Sequence, residues 1–384
     1  MECAIQQRDS QSAAYLIVPP AVSPPPPAGM RIEPENLVRC FLAHPPVGFA
    51  TSGTANGIAS FETNFDLLTT LNPQLRRRLV HWPLYSTWRH WLAPRVSFVG
   101  TTVTEYAQLP TNVDAFALIS DLLAQRSQRQ RLLIIKDLPT ASPLLGSDAN
   151  NYAEAVKCAC RASEFTIIAG QALAYVPLDF TNIADYLARR TTSRRKDLRR
   201  KLRARQQLEI AALPTGSDSF DDPAVIAEYY ALYLNVFEQS ELHFDMHTET
   251  FFRAVLTDAL AGGIVFTYRH RGQLIGFNLC YVYGDKLVDK LIGLRYPAAR
   301  DLNLYFVSWM RNLEYALAAG LKYYVAGWTD PQVKKDLGAR FTWTEHAVYA
   351  RNPLLRGTLR LLRRHFESDA NWQREHADAS AIGA

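Results

Sequence analysis

The sequence predicts an α/β (α+β) protein with mixed, mostly antiparallel sheets flanked by helices. Three observations lead there. Between residues 40 and 177, short β-branched and aromatic runs alternate with stretches of helical apolar spacing. Between 264 and 294 the apolar period drops to two, over three segments separated only by short turns. The 384 residues, 48% apolar and 21% charged, suit two domains of ordinary globular composition.

The elements follow in order. Residues 1–38 carry Pro19, Pro20, Pro24 to Pro27 and Pro34. Proline lacks an amide donor and fixes its own φ, so this stretch reads as a flexible, extended arm. A first domain spans 39–178. In it, 95–102 (RVSFVGTT) is a strand, 113–126 a helix with Phe116, Ile119, Leu122 and Leu123 at helical spacing, and 132–135 a short buried strand. Residues 151–162 form a helix, followed by strands at 164–169 and 172–176. A second domain spans 179–352. It opens with a basic helical stretch, 180–207, and a strand, 208–213. Pro223 behind Asp221 and Asp222 starts a helix, and a further helix covers 248–260 before Gly262 and Gly263. The antiparallel meander is 264–268, 274–283 and 286–294. A helix with Leu302, Phe306, Trp309 and Leu313 on one face runs to Gly320, and strands at 321–326 and 341–350 finish the domain. Residues 353–384 are a basic amphipathic helix and a frayed tail.

Composition excludes several classes. No run of about 18 apolar residues is present, and the first residues lack the basic start and apolar core of a secretory leader. Cys3, Cys40, Cys158, Cys160 and Cys280 are scattered without metal spacing, so they read as reduced thiols of a cytoplasmic protein, peripheral to the inner membrane at most. Net charge is only +5, but ten basic side chains crowd residues 189–205 against one acid, Asp197. That density reads either as a solvated helix or as an anion-binding face for phosphates, tRNA or an anionic membrane.

The basic run SRRKDLRRKLR, the helix ending YALAAG, the segment YYVAGWTDPQVKKDLGA and the closing strand EHAVYARN resemble the FemAB-like branch of the GNAT acyltransferase superfamily. The resemblance covers about residues 180–352, and it implies two tandem GNAT-like domains, of which the first is degenerate. It also implies transfer of an acyl or aminoacyl group from acyl-CoA or aminoacyl-tRNA to a small-molecule or peptidyl amine, without a metal.

Such a transfer needs a grip on phosphates, a proton acceptor and an oxyanion donor. For the cofactor grip, the loop before the 302–320 helix offers Arg295, Ala298, Ala299, Arg300 and Asn303, although the spaced glycines usual in the family are missing. The bland alternative is a solvated loop and a helix cap. Asp289 and Lys290 alternate across a strand: either Asp289 is an amine anchor or proton acceptor, or both charges are solvated at an edge. Tyr305 is a candidate general acid or a partly buried helix residue. Gly327, Trp328, Thr329 and Asp330, with Lys334 one helical turn on, form the candidate acceptor loop, Asp330 being a catalytic candidate. A capped surface helix with one Asp330–Lys334 ion pair is the plain alternative. His243 is a candidate substrate residue, since a metal reading of His243 and His247 lacks further ligands. Two rival functions share this sequence: a non-catalytic binding module for nucleic acid, and a membrane-surface adaptor.

Overall fold

The computed structural model describes residues 29–53, 57–65, 93–125, 131–240, 244–328 and 330–362. Within them the elements are α1 (Glu35–Ala43), β1 (Ala50–Gly53), β2 (Ala59–Asn64), β3 (Arg95–Val99), α2 (Ala115–Ala124), β4 (Leu132–Thr140), α3 (Ser147–Ala162) and β5 (Thr166–Pro177). Then come α4 (Ile183–Ala188), α5 (Thr192–Leu202), β6 (Glu209–Pro214), α6 (Pro223–Gln239), α7 (Glu249–Leu256), β7 (Gly263–His270), β8 (Gln273–Tyr283) and β9 (Lys286–Leu294). The chain closes with α8 (Ala298–Asp301), α9 (Leu304–Ala318), β10 (Tyr323–Gly327), α10 (Pro331–Leu337), β11 (Arg340–Ala350) and α11 (Pro353–Leu362).

One 11-stranded sheet runs in the order β1-β2-β3-β4-β11-β5-β10-β9-β8-β7-β6. Only β3–β4 and β9–β10 pair in parallel, so the mixed, mostly antiparallel class predicted from the sequence is the class observed. The meander β7-β8-β9 lies where period-two patterning placed it. The strand order holds a feature that no local pattern announces. The last strand, β11, returns to lie between β4 and β5, while β5 pairs with β10. Each half of the sheet therefore uses a strand from the other half's sequence.

Local chemistry explains most boundaries. Asp114, Asn182, Thr191, Asp222 and Thr248 each accept an amide of the first turn of α2, α4, α5, α6 and α7. The expected strands 164–169 and 172–176 are one strand, β5, whose register against β11 shifts between Trp343 and Glu345. There Gly170 lies so close to β11 that an added Cβ would meet Thr344 Oγ1 at 2.3 Å.

The arm predicted over 1–38 needs correction at its end. Met30 and Ile32 are buried, Glu33 is wholly enclosed, and α1 begins behind Pro34. Two apolar side chains and a paired carboxylate hold the segment, and the sequence showed only the prolines. Residues 1–28 and 363–384 lie outside the described residues, as does Cys3; the other four cysteines are free thiols. Among the described residues no helix is long and apolar enough to cross a membrane.

Candidate functional site

β9 and β10 pair only from Tyr323↔Lys286 to Val325↔Val288. Beyond that point β9 continues to Leu294, whereas β10 turns away at Gly327, whose φ is 76°. The two strands splay, and the gap opens into a cavity of about 720 Å³ lined from both halves of the sheet. In the same place β9 carries a bulge. Its register against β8 steps from Leu279↔Leu291 to Cys280↔Asp289, which leaves Lys290 without a partner residue. The bulge is why Asp289 and Lys290 both reach the cavity instead of alternating cleanly.

Asp289 sits on the cavity floor inside a polar network. Asn278 Nδ2 donates to its Oδ1 at 2.6 Å; Tyr324 Oη and Asn312 Nδ2 donate to its Oδ2 at 2.9 and 3.3 Å. Asn312 Nδ2 also reaches Asn278 Oδ1 at 2.6 Å. Burial outweighs these donors and the nearby ammonium groups, and raises the carboxyl to about 6. Lys334 faces the same cavity from α10. It is 4% exposed and has no hydrogen-bond or ion-pair partner among the described residues. Burial lowers its ammonium to about 8, against the opposing pull of Asp289, Glu105 and Asp330. The surface ion pair weighed for Asp330 and Lys334 is therefore absent: the lysine points inward, and Asp330 is exposed in a left-handed conformation, φ 54°. Tyr305 lines the cavity from the first turn of α9. Its phenol is held well above its usual range by burial, then by the negative charges of Asp289 and Asp330. Trp328 closes the side of the cavity and packs on the core beneath.

The structure thus brings Asp289, Tyr305, Trp328 and Lys334 to one cavity, with Asp330 at its rim. Thr329 and His243 lie outside the described residues. The expected phosphate loop is folded differently from an open cradle. Residues 298–301 form the short α8, and the amides of Ala299, Arg300, Asp301, Leu302 and Asn303 are all bonded to carbonyls of residues 295–300. Arg295 donates to Leu274 O at 2.9 Å and pairs with Glu228, while Arg300 bonds Gln239 and stacks on Tyr296. Asn303 makes no side-chain cap. Neither arginine is a free surface charge, and the amides of residues 299–303 are occupied.

Half of the basic stretch is neutralised by the chain itself. Arg189 pairs with Asp179, Arg194 with Asp336, Arg200 and Lys201 with Asp197, and Arg205 with Glu314. Lys196, Arg199 and Arg203 are exposed, lack an ion pair among the described residues, and share a face at three- and four-residue spacing.

Sequence reasoning missed the residues that hold Asp289. A lone asparagine in the apolar strand LIGFNLCYVY, and another on the buried face of α9, were the available signals, because a buried amide needs partners. It also missed a second polar centre on the cavity wall, where Lys136 pairs with Asp137 and His346 Nδ1 accepts the Asp137 amide at 3.0 Å.

With this geometry in place, the comparisons with known proteins can be set beside it. Residues 192–335 match the family described as "Acetyltransferase (GNAT) domain". The matched segment is similar to that domain; it contains the splayed strands β9 and β10, α9 and most of α10, and its first residues are the basic helix α5. No protein of curated function matches the sequence. Among solved structures the chain is similar to FemX, with 12% identity, 86% of this chain and 99% of that one covered, and TM-score 0.47. It is similar to L-PGS from Bacillus licheniformis, with 10% identity, coverage of 88% and 97%, and TM-score 0.48. A tandem GNAT protein from the clavulanic acid biosynthesis pathway gives 12% identity, coverage of 85% and 91%, and TM-score 0.41.

Proposed function

We propose that the protein is an N-acyltransferase of FemAB-like type, moving an acyl or aminoacyl group from a phosphate-bearing carrier to an amine. The carrier is a CoA thioester or an aminoacyl-tRNA, both of which present an electrophilic carbonyl on an anionic handle. The observation that carries the reading is the cavity at the splay of β9 and β10, where Asp289 and Lys334 are held with shifted proton affinities.

The chemistry follows from the side chains. An amine enters as its ammonium and must lose a proton before it attacks. Asp289 is ionised at neutral pH yet more basic than an ordinary aspartate, and its Oδ1 accepts only one bond, leaving a lone pair free. The nitrogen then adds to the carbonyl carbon. The oxyanion that forms is met by the Lys334 ammonium. On collapse the thiolate or ribose oxygen leaves and takes a proton from Tyr305, whose raised proton affinity keeps it loaded. Tyr305 regains a proton from Asp289, and the second proton of the attacking nitrogen, cationic after addition, passes to solvent, so the net reaction releases one proton. The occupied amides of residues 299–303 support a grip on the carrier by side-chain charge, and Lys196, Arg199 and Arg203 supply it.

The test mixes the protein with acyl-CoAs of increasing chain length, or with charged tRNA, and a panel of primary amines. Mass spectrometry reads the amide product. Product that disappears in Asp289→Asn supports the reading. Absence of product, with neither carrier raising the melting temperature, sinks it. Steeply salt-dependent RNA binding without transfer would establish the non-catalytic alternative.

A further inference from the structure

The cavity has a second end, on the opposite face of the sheet, that the transfer mechanism leaves unused. Directly paired residues of neighbouring strands share a face. Phe266 pairs with Asn278 and meets the ring of Tyr315 on α9 at 5.4 Å, so Asn278 and the Asp289 it bonds lie on the α9 face. Phe277, one position earlier, points the other way and meets the ring of Tyr229 on α6 at 5.0 Å. Leu279 shares that face and pairs with Leu291, so Leu291 lies on the α6 face. Asp289 and Leu291 line the same cavity, which therefore passes through the sheet. The opening is the stretch that β10 does not fill: β5 pairs with β10 only from Ala174 to Pro177, and β9 only up to Val288. There β5 and β9 stand two strand spacings apart, about 10 Å between backbones, which is room for one extended chain.

On the α6 face the walls are largely hydrocarbon. Phe65, Phe98 and Phe244 form one ring cluster, with centroids 5.3, 5.5 and 5.9 Å apart, and all three line the cavity. Phe98 pairs in register with Ile134, which extends the same wall. Ile168 on β5, Leu291 on β9 and Val236 on α6 continue it towards the opening. Ile168 and Leu291 stay partly exposed although β5 and β9 are inner strands, so their open surface is cavity wall. The charged side chains on that wall bond one another: Lys136 pairs with Asp137 and donates to Thr101 O at 2.7 Å, and Glu105 holds Lys290. Packed interiors hold few voids larger than a water molecule, so an apolar-walled space in a cavity of about 720 Å³ fits a binding role. A polar group would lose its hydration against phenyl rings, whereas a flexible hydrocarbon chain gains contacts there and passes a gap one chain wide.

We propose that this end of the cavity binds the aliphatic chain of a transfer substrate, threaded between β5 and β9 with its reactive end at Asp289. The chain belongs either to the acyl group or to the amine. Calling its owner a transfer substrate rests on the transfer reading; the hydrocarbon site itself does not.

The site is tested by calorimetric titration of the full chain with 1-butanol, 1-hexanol and 1-octanol. Affinity is expected to rise about fourfold per added methylene. Val236→Trp fills the apolar end and is expected to cut octanol affinity about tenfold or more while leaving butanol binding nearly unchanged. Should Val236→Trp fail to fold, Phe244→Trp decides by the same reading. Equal affinity for butanol and octanol in wild type overturns the proposal, and so does a length dependence that survives in the folded filling variant. The owner of the chain is read from two rate series: acyl-CoAs from acetyl to dodecanoyl with ethylamine, and acetyl-CoA with alkylamines of increasing length. A kcat/KM that climbs in the first series puts the chain on the acyl group, and a climb in the second puts it on the amine. Transfer that is indifferent to length in both series overturns the proposal and keeps the enzyme reading. Length-dependent alkanol binding in a protein that transfers nothing keeps the hydrocarbon site and discards the enzyme reading.

Discussion

Replacing Lys334 by methionine is expected to stabilise the protein while disabling it. The side chain is enclosed, and its ammonium has no bonded partner among the described residues to offset lost hydration. Lowering it from 10.5 to about 8 corresponds to about 3 kcal/mol of burial cost at neutral pH. Methionine keeps nearly the same volume and removes that cost. Asp289 loses a compensating cation in the exchange, which returns part of the gain, so the net expectation is about 2 kcal/mol. The pH dependence fixes the sign. Below about 8 the folded lysine is charged and the whole cost is present. Between about 8 and 10.5 the unfolded chain binds the proton and the folded chain does not, so wild-type stability rises with pH. The gap between variant and wild type should therefore be largest at pH 7 and close by about pH 11. Urea unfolding at both pH values measures it. In the transfer assay, loss of the oxyanion partner lowers kcat by about 10²–10³-fold. A variant that is destabilised at pH 7, or a gap that does not change with pH, would refute the picture of a strained functional ammonium and make Lys334 a packing residue.

Other expectations are briefer. The pH profile of kcat/KM is expected to be bell-shaped. It rises through about 6 as Asp289 ionises and falls through about 8 as Lys334 loses its proton, and Lys334→Met removes the alkaline limb. Tyr305→Phe leaves urea stability within about 0.5 kcal/mol, because the phenol has no hydrogen-bond partner among the described residues, yet cuts kcat by about 10²-fold if it protonates the leaving group. Reversing Lys196, Arg199 and Arg203 to glutamate leaves the melting temperature nearly unchanged, since none of the three pairs within the described residues, and abolishes the salt-sensitive part of carrier binding in a filter or fluorescence assay. Gly170→Ala destabilises by about 1–3 kcal/mol in urea, because its Cβ would strike the Thr344 side chain and backbone.

Much of the segment 192–335 was readable in the sequence alone. Period-two patterning over 264–294, the Asp222–Pro223 helix start and the apolar face of 302–317 are short-range signals, and each produced its element within a few residues. Trp328 stood out in the acceptor loop, with Lys334 one helical turn on, and both line the cavity. Other features stayed hidden where a side chain's environment depends on distant partners. The ten basic residues of 189–205 look like one anion-binding face in one dimension. In three dimensions, acids from 179, 336 and 314 consume much of that charge. The proline-rich arm ends in Glu33, which crosses 257 positions of sequence to meet Lys290.

The sequence by itself determined most element types and the sheet class. These rest on local propensity and periodicity, which act over a few residues. Only the tertiary structure decided that β11 returns between β4 and β5, that the Lys290 bulge directs two neighbouring charges to one cavity, and that the amides of residues 299–303 are already bonded. Each of these depends on strand pairing and burial between segments far apart in the chain. Proton affinity depends on the same thing, because desolvation and neighbouring charge act through space and leave no mark in the order of residues.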